Sequence, residues 1–553
     1  MSARTSFNIA STLPEMAAKQ PYTPAIFYPA GRDANGKRRY THYTYAQLDH
    51  DSDVIARGLE AIGITRGMRT TLMVTPSLEF FALTFAIFKV GAVPVLVDPG
   101  IGLKSLKACL GRAAPEAFIG IPKAHIARVL FGWAKGTLKQ WVTVGRKGPW
   151  GGVTLEHVKA LGRAADPKPM APTAADEVAA ILFTSGSTGP PKGAVYTHGT
   201  FMTQVETIRD MYGIRPGEVD LPTFPLFALF DPALGVTTVV PEMDFTKPAQ
   251  VDPSMLMELM RDFGVTMMFG SPALLTTVSR WGEANDVAFP DTLKRVISAG
   301  APMPDHVLKR IYAMLPEGGE VHPPYGATES LPVATLPGSE ILGDTWPRTE
   351  QGAGVCVGRT VHNVDVRVIR IDDGPIEQWS DDLALPQGEI GEITVAGPQV
   401  TTAYFGDEEK TRGAKIRHAD GTVRHRMGDV GYFDETGRLW FCGRKRHRVE
   451  LGDRTLFTIP VEGVFNTHPK VFRSAIVGVD RGGVTEPVLW VELWPEHRGT
   501  DHAALADELR AIGAKHDHTA GIERVLVHDG FPVDIRHNAK INRELLAVEA
   551  ARR

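Results

Sequence analysis

At 553 residues the chain exceeds one ordinary hydrophobic core, so two or more domains are expected. Hydrophobic content of 43% and charged content of 22% are those of an ordinary soluble globular protein, and a net charge of −4 gives no electrostatic argument for nucleic acid or an anionic membrane. The three cysteines, Cys109, Cys356 and Cys442, fit neither a disulfide framework nor a zinc knuckle. Together with an N-terminus lacking the apolar run of a signal peptide, this is compatible with a cytoplasmic location, the compartment expected.

Thr44-Tyr-Ala-Gln47 is a capping-box pattern, and Leu48, Ile55, Leu59 and Ile62 share one helical face that Gly63 ends. The most apolar stretch, 72–97, contains Glu79, Lys89 and Pro94. It reads as a helix over 77–90, a turn at Gly91 and a buried strand at 93–97, rather than a membrane span. With T-L-M-V (71–74) before it, this is a βαβ rhythm and predicts a parallel sheet. The rhythm returns at 178–183, again at the helix 254–263 with the strand 265–269, and at 293–298 before the turn A-G-A-P (299–302). From about Val361 short alternating runs at 364–371 and 391–397 predict antiparallel or barrel strands. After F-C-G-R (441–444) the chain turns basic (K-R-H-R, 445–448). A smaller αβ pattern follows, with a helix near 461–467, strands at 474–479 and 488–493, and a helix across 502–515. This divides the chain into a large region, residues 1–443, a hinge at 444–446 and a small C-terminal domain, 447–553.

T-S-G-S-T-G-P-P-K-G (184–193) is suited to phosphate but is not a Walker loop. Pro191 precedes Lys192, Gly193 follows it, and the continuation reads as a strand, so no helix N-terminus faces the anion. Gly186, Gly189 and Gly193 free backbone amides to face an anion. Thr184, Ser185, Ser187 and Thr188 offer hydroxyls, and Lys192 a cation. The bland alternative is an exposed Gly/Ser turn between strands.

This loop, followed by His198, resembles the signature of the adenylate-forming superfamily, which includes acyl-CoA synthetases, peptide-synthetase adenylation domains and luciferases. Further motifs follow in family order: S-A-G-A-P (298–302), Y-G-A-T-E (325–329), G-E-I-T-V-A-G-P (391–398), M-G-D-V-G-Y-F-D (427–434), R-L-W-F-C-G-R (438–444), P-V-E-G-V-F (460–465) and A-K-I-N-R (539–543). The resemblance implies an α/β fold, with a large multi-layer N-terminal domain of two βα subdomains plus a distorted β-barrel, and a small mobile α+β C-terminal domain. It implies ATP and Mg²⁺ as cofactors. The loop, with Lys192, would close over the β- and γ-phosphates. Tyr325 would stack on adenine, beside Gly326 and Ala327, with Gly300, Ala301 and Pro302 along the base edge. Thr328 would bond the α-phosphate, Glu329 would hold Mg²⁺, Asp429 and Arg444 would take the ribose, and Lys540 would bridge the carboxylate and α-phosphate. Taken singly, Tyr325 could be a core residue, M-G-D-V-G a turn, and Lys540 a solvated side chain.

Several positions depart from the common pattern. Ala228, in F-P-L-F-A-L-F-D (224–231), stands where many relatives have a histidine that helps gate the acyl site. R-T-G-D becomes H-R-M-G-D (425–429), the hinge residue is Arg446 within R-K-R-H-R, and G-K-I becomes A-K-I after D-I-R-H-N (534–538). The basic stretch reads as a rotating hinge or as a solvated turn. The combination looks like one branch, the β-lactone synthetases of bacterial long-chain olefin biosynthesis. This implies a long-chain 2-alkyl-3-hydroxyalkanoic acid as substrate, adenylated and then closed to a β-lactone by its own 3-hydroxyl. Phe224, Phe227, Ala228 and Phe269 would wall the alkyl site, although core packing explains such residues equally well. The branch also implies association with a β-lactone decarboxylase and an NADPH-dependent reductase of the same pathway, and no nucleic acid. A long-chain fatty acyl-CoA or acyl-AMP ligase is the alternative, and a nucleotide-binding module without catalysis a third.

Overall fold

Thr44 caps the helix Tyr45–Ala61 as its sequence dictates, its hydroxyl accepting from the Gln47 amide while the Gln47 side chain accepts from the Thr44 amide. The apolar stretch after it makes a strand, Arg69–Met73, a helix, Leu78–Val90, and a second strand, Val93–Val97, paired in parallel with the first. Gly91 turns the chain between helix and strand at a φ of 75°, a left-handed conformation that glycine adopts without strain. The computed structural model describes residues 7–98, 101–184, 191–533 and 540–553.

Two seven-stranded sheets carry the βα part of the molecule. The first runs Val153–Thr154, Gln140–Thr143, Ala117–Gly120, Arg69–Met73, Val93–Val97, Val178–Thr184, Lys192–Thr197, parallel except for its last strand. The second runs Glu320–His322, Arg295–Ile297, Met267–Phe269, Val219–Pro222, Thr237–Val239, Pro24–Arg32, Arg38–Thr44, again with only the last pairing antiparallel. One core joins them: Phe81, Phe85 and Ile87 of the helix Leu78–Val90 pack in the same cluster as Ala180 and Tyr196 of the first sheet and Met267 of the second.

Two assignments differ from the sequence expectation. The hairpin Pro24–Arg32 and Arg38–Thr44 fully buries only Ala25 and Ile26, and its second strand is polar and part-exposed, so it lacks the buried run that marks a core strand. It forms only as the edge of the second sheet. The antiparallel, barrel-like sheet begins at Tyr325, not near Val361. Its eight strands include the short hairpin Tyr325–Ala327 and Ser330–Thr335, and Val355–Thr360, which pairs with the distant Leu439–Arg444.

The C-terminal part holds a sheet of Val471–Asp480, Thr485–Leu493 and Arg524–Val527 with its own cores, around Phe465, Leu489 and Leu505 on one side and Trp490 on the other. A terminal helix, Arg543–Arg552, covers Trp490, whose indole N–H donates to the Leu546 carbonyl at 3.0 Å. Among the described residues no helix is long and apolar enough to cross a membrane.

Candidate active site

Lys192 enters the site as the first residue of a strand paired with Val178–Thr184, Thr184 lying opposite Lys192. As the sequence requires, the chain continues as strand to Thr197 and becomes helical only at His198. Ser185, Gly186, Ser187, Thr188 and Gly189 lie outside the described residues, and of Thr184 only its place in the strand is given. The loop's exit is held by Arg112, which donates to the Pro191 carbonyl at 3.0 Å, and by the Phe405 amide donating to the Gly193 carbonyl at 2.8 Å.

That second contact brings Tyr404 against Lys192. The ammonium sits 4.9 Å from the Tyr404 ring centre, and the Tyr404 hydroxyl donates to Glu329 Oε1 at 2.6 Å. Behind them Lys415, fully enclosed, bonds the Thr401 carbonyl and hydroxyl, while His425 Nδ1 donates to the Ala414 carbonyl at 3.1 Å. Burial pushes the Lys415 amine down to about 7, with Glu329 opposing, and it pushes His425 down to about 3, with Lys415 adding to the effect. Burial alone would raise the Glu329 carboxyl, which solvent reaches only through the cavity. The polar groups of His425, Tyr404 and Lys415 outweigh burial and leave it below the usual range. Burial also lowers the Lys192 amine. The result is a carboxylate kept charged beside two lysines whose amines burial lowers.

Lys192, Glu329, Tyr404 and His425 open onto a cavity of about 750 Å³, which Thr328, Tyr325, Gly326, Ala327, Gly300, Arg444, Arg446 and Lys540 also line. Ala301 and Pro302 continue the turn that Gly300 begins, at a φ of 103°, without reaching the wall. Asp429 is buried behind the wall. It accepts the Tyr325 hydroxyl at 2.7 Å and pairs with Arg444 at 2.8 Å, so these three expected nucleotide contacts form one linked unit. Burial raises the Asp429 carboxyl and Arg444 opposes it. Tyr196 donates to the Thr328 carbonyl and fixes the strand turn that carries Thr328 and Glu329.

The basic stretch is not a solvated turn. Lys445 reaches Glu392 at 3.2 Å, Arg448 reaches Asp373 at 2.6 Å, and Arg446 pairs with Glu544 of the terminal helix at 2.8 Å. Arg426, of H-R-M-G-D, forms a buried pair with Glu392 at 2.6 Å.

The far end of the cavity is apolar. Phe227 stacks on Phe269 with ring centres 4.2 Å apart, and Phe224 leans on Phe227 at 5.4 Å. Ala228, expected on this wall, instead faces the core and is 2% exposed. The short helix Pro225–Ala228 turns its neighbours Phe227 and Leu229 to the cavity and Ala228 away. Tyr404, Lys415, His425, Asp220 and Asp231 were missed by sequence reasoning. The only available signal was an acid inside an apolar run, V-D-L (219–221) and A-L-F-D (228–231), and a lysine entering a strand, K-I-R (415–417).

Residues 13–405 match the family described as AMP-binding enzyme. The chain belongs to that family. Across 99% of its length it is 54% identical to a curated olefin beta-lactone synthetase of Xanthomonas campestris, covering 98% of that protein. It is 53% identical, with 98% coverage of both chains, to one of Stenotrophomonas maltophilia. The amide bond synthetase McbA of Marinactinospora thermotolerans superposes with a TM-score of 0.77 at 22% identity, over 98% of this chain and 99% of that one. These AMP-binding relatives bear out the expected α/β architecture with its small C-terminal part, and the expected class, an ATP-dependent ligase.

Proposed function

We propose that the enzyme adenylates a long-chain 2-alkyl-3-hydroxyalkanoic acid and closes it to a β-lactone, releasing pyrophosphate and then AMP. The near full-length similarity to proteins named olefin beta-lactone synthetase carries this reading. The cavity suits it, joining a charged end at Lys192, Glu329 and Lys540 to an aromatic end at Phe224, Phe227 and Phe269.

In the first half a substrate carboxylate oxygen bonds the α-phosphorus of ATP and the bond to pyrophosphate breaks. Lys192 neutralises the departing phosphates and Lys540 the carboxylate and α-phosphate, both from positions on the cavity wall. Tyr325, Asp429 and Arg444 position the nucleoside. Glu329 fits Mg²⁺, since it presents a hard oxygen donor kept ionised by its neighbours. The ion, when bound, supplies charge neutralisation at the phosphates. In the second half the 3-hydroxyl oxygen bonds C1, the C1–O bond to AMP breaks, and the hydroxyl proton is released. No external nucleophile enters, so no thiol is required.

Residues 1–443 serve as the body, 444–446 as the hinge at Arg446, and 447–553 as a lid that delivers Lys540. A cytoplasmic location and association with a decarboxylase and a reductase acting on the same acid complete the reading. The test is incubation with ATP, Mg²⁺ and a long-chain 2-alkyl-3-hydroxy acid, with and without coenzyme A. Lactone formed equally without coenzyme A is expected; an absolute thiol requirement selects the acyl-CoA ligase alternative.

A further inference from the structure

Two acids stand at the apolar end of the cavity, where neither the adenylation chemistry nor the relatives' names give them a role. Asp220 lies on Val219–Pro222, central in the second sheet, and Asp231 begins the four-residue helix that follows the aromatic run. Both line the cavity, at 4% and 2% exposure. The two carboxyls hydrogen-bond each other, and Asp231 Oδ2 accepts the Thr238 hydroxyl at 2.8 Å. Asp220 Oδ1 is buried with no hydrogen-bond partner. An unmatched polar oxygen in such a place is costly unless a ligand supplies a donor.

We propose that Asp220 Oδ1 accepts a hydrogen bond from the 3-hydroxyl of the acyl substrate, making the Asp220–Asp231 pair the feature that selects hydroxylated acids. This deepens the proposed function and rests on it for the substrate class. Two adjoining carboxyls in an apolar wall cannot both ionise, and burial raises both. Asp220, sharing a proton with Asp231, carries less than a full negative charge. Its Oδ1 is left as an acceptor that repels an anionic acid less than a full carboxylate would. No proton is transferred in this role; it is recognition. A site built to bond a hydroxyl discriminates strongly against the analogue lacking it, because its own polar atom is then left unpaired.

The test is ATP–pyrophosphate exchange on matched acids, a 2-alkyl-3-hydroxyalkanoic acid and its 3-deoxy counterpart. The wild type is expected to favour the hydroxy acid. Asp220→Leu should lower kcat/KM for the hydroxy acid by roughly 10- to 100-fold and change the deoxy acid little. Asp220→Asn keeps a carbonyl oxygen and a donor toward Asp231, and should retain the preference. If Asp220→Leu does not fold, judged by its melting curve, Asp220→Ala carries the same comparison. Equal loss on both acids would mark the pair as merely structural and overturn the proposal. So would an intact preference, which would point to Gln204 Oε1, a second unpartnered acceptor on this wall. A wild type that prefers the hydroxy acid yet forms no lactone would refute ring closure while leaving the hydroxyl site standing.

Discussion

The two ends of the cavity solve the burial of charge in opposite ways. At the polar end Glu329 is surrounded by Lys192, Lys415, His425 and the Tyr404 hydroxyl, and its charge is retained. At the apolar end Asp220 and Asp231 have each other, Thr238 and the Leu221 backbone but no cation, and their charge is suppressed. Phosphate chemistry needs a fixed negative centre to hold a cation, whereas a wall for alkyl chains tolerates acids only in neutral form. The same residue type therefore does two jobs, set by its neighbours.

The largest effect that would break this contrast falls on Lys540. Lys540→Ala should reduce pyrophosphate exchange by roughly 100- to 1,000-fold while ATP binding, followed by calorimetry, changes little. Weaker ATP binding in proportion would place Lys540 in nucleotide affinity instead. Glu329→Gln removes the retained charge. We expect about 100-fold slower adenylation with a raised Mg²⁺ requirement, read from exchange rates over a Mg²⁺ titration; an unaltered requirement would move the ion elsewhere.

The apolar end gives a pH signature of its own. The Asp231 carboxyl is raised from an ordinary 3.8 to about 7, so the folded state holds the extra proton between those values. Its stabilising contribution is complete below pH 4 and is lost as pH rises toward 7. Asp231→Asn, a permanent mimic of the protonated form, should melt at a temperature that gains on the wild type from pH 5 to pH 8. A constant gap would mean that the pair does not share a proton. The smallest effect concerns Ala228. A histidine there meets packed core, so Ala228→His should destabilise the fold by about 1–3 kcal/mol in denaturant titration without conferring thiol dependence. Thiol-dependent product from that variant would contradict the assigned burial.

What the sequence disclosed follows from how far its contacts reach. The helix 45–61, the strands at 69–73, 93–97, 178–184, 267–269 and 295–297 and the strand after Lys192 are written in local periodicity, capping and Gly/Pro placement, and they stand as expected. The hairpin at 24–44 depends on a distant partner strand, and the early barrel strands at 325–335 are only 3 and 6 residues long, so composition alone marks neither. The same holds within the site. Lys192, Thr328, Glu329, Tyr325 and Lys540 lie in ordered motifs and meet at one cavity. Tyr404, Lys415 and His425 gain their importance from strand pairings that set Tyr404 beside Gly193 and His425 opposite Lys415. Ala228 shows the converse: a motif position carries a role only if the backbone turns it toward the cavity, and here it is turned away.

On the proposed function a carboxylate takes AMP and the substrate's own hydroxyl then displaces it. The most direct measurement supplies the acid with ¹⁸O in its 3-hydroxyl, with ATP and Mg²⁺ and without coenzyme A, and analyses the products by mass spectrometry. The account predicts a β-lactone that retains the label in its ring oxygen, formed in step with unlabelled AMP and pyrophosphate. An acyl-adenylate that accumulates without lactone until a thiol is added, or a lactone that has lost the label, would contradict it.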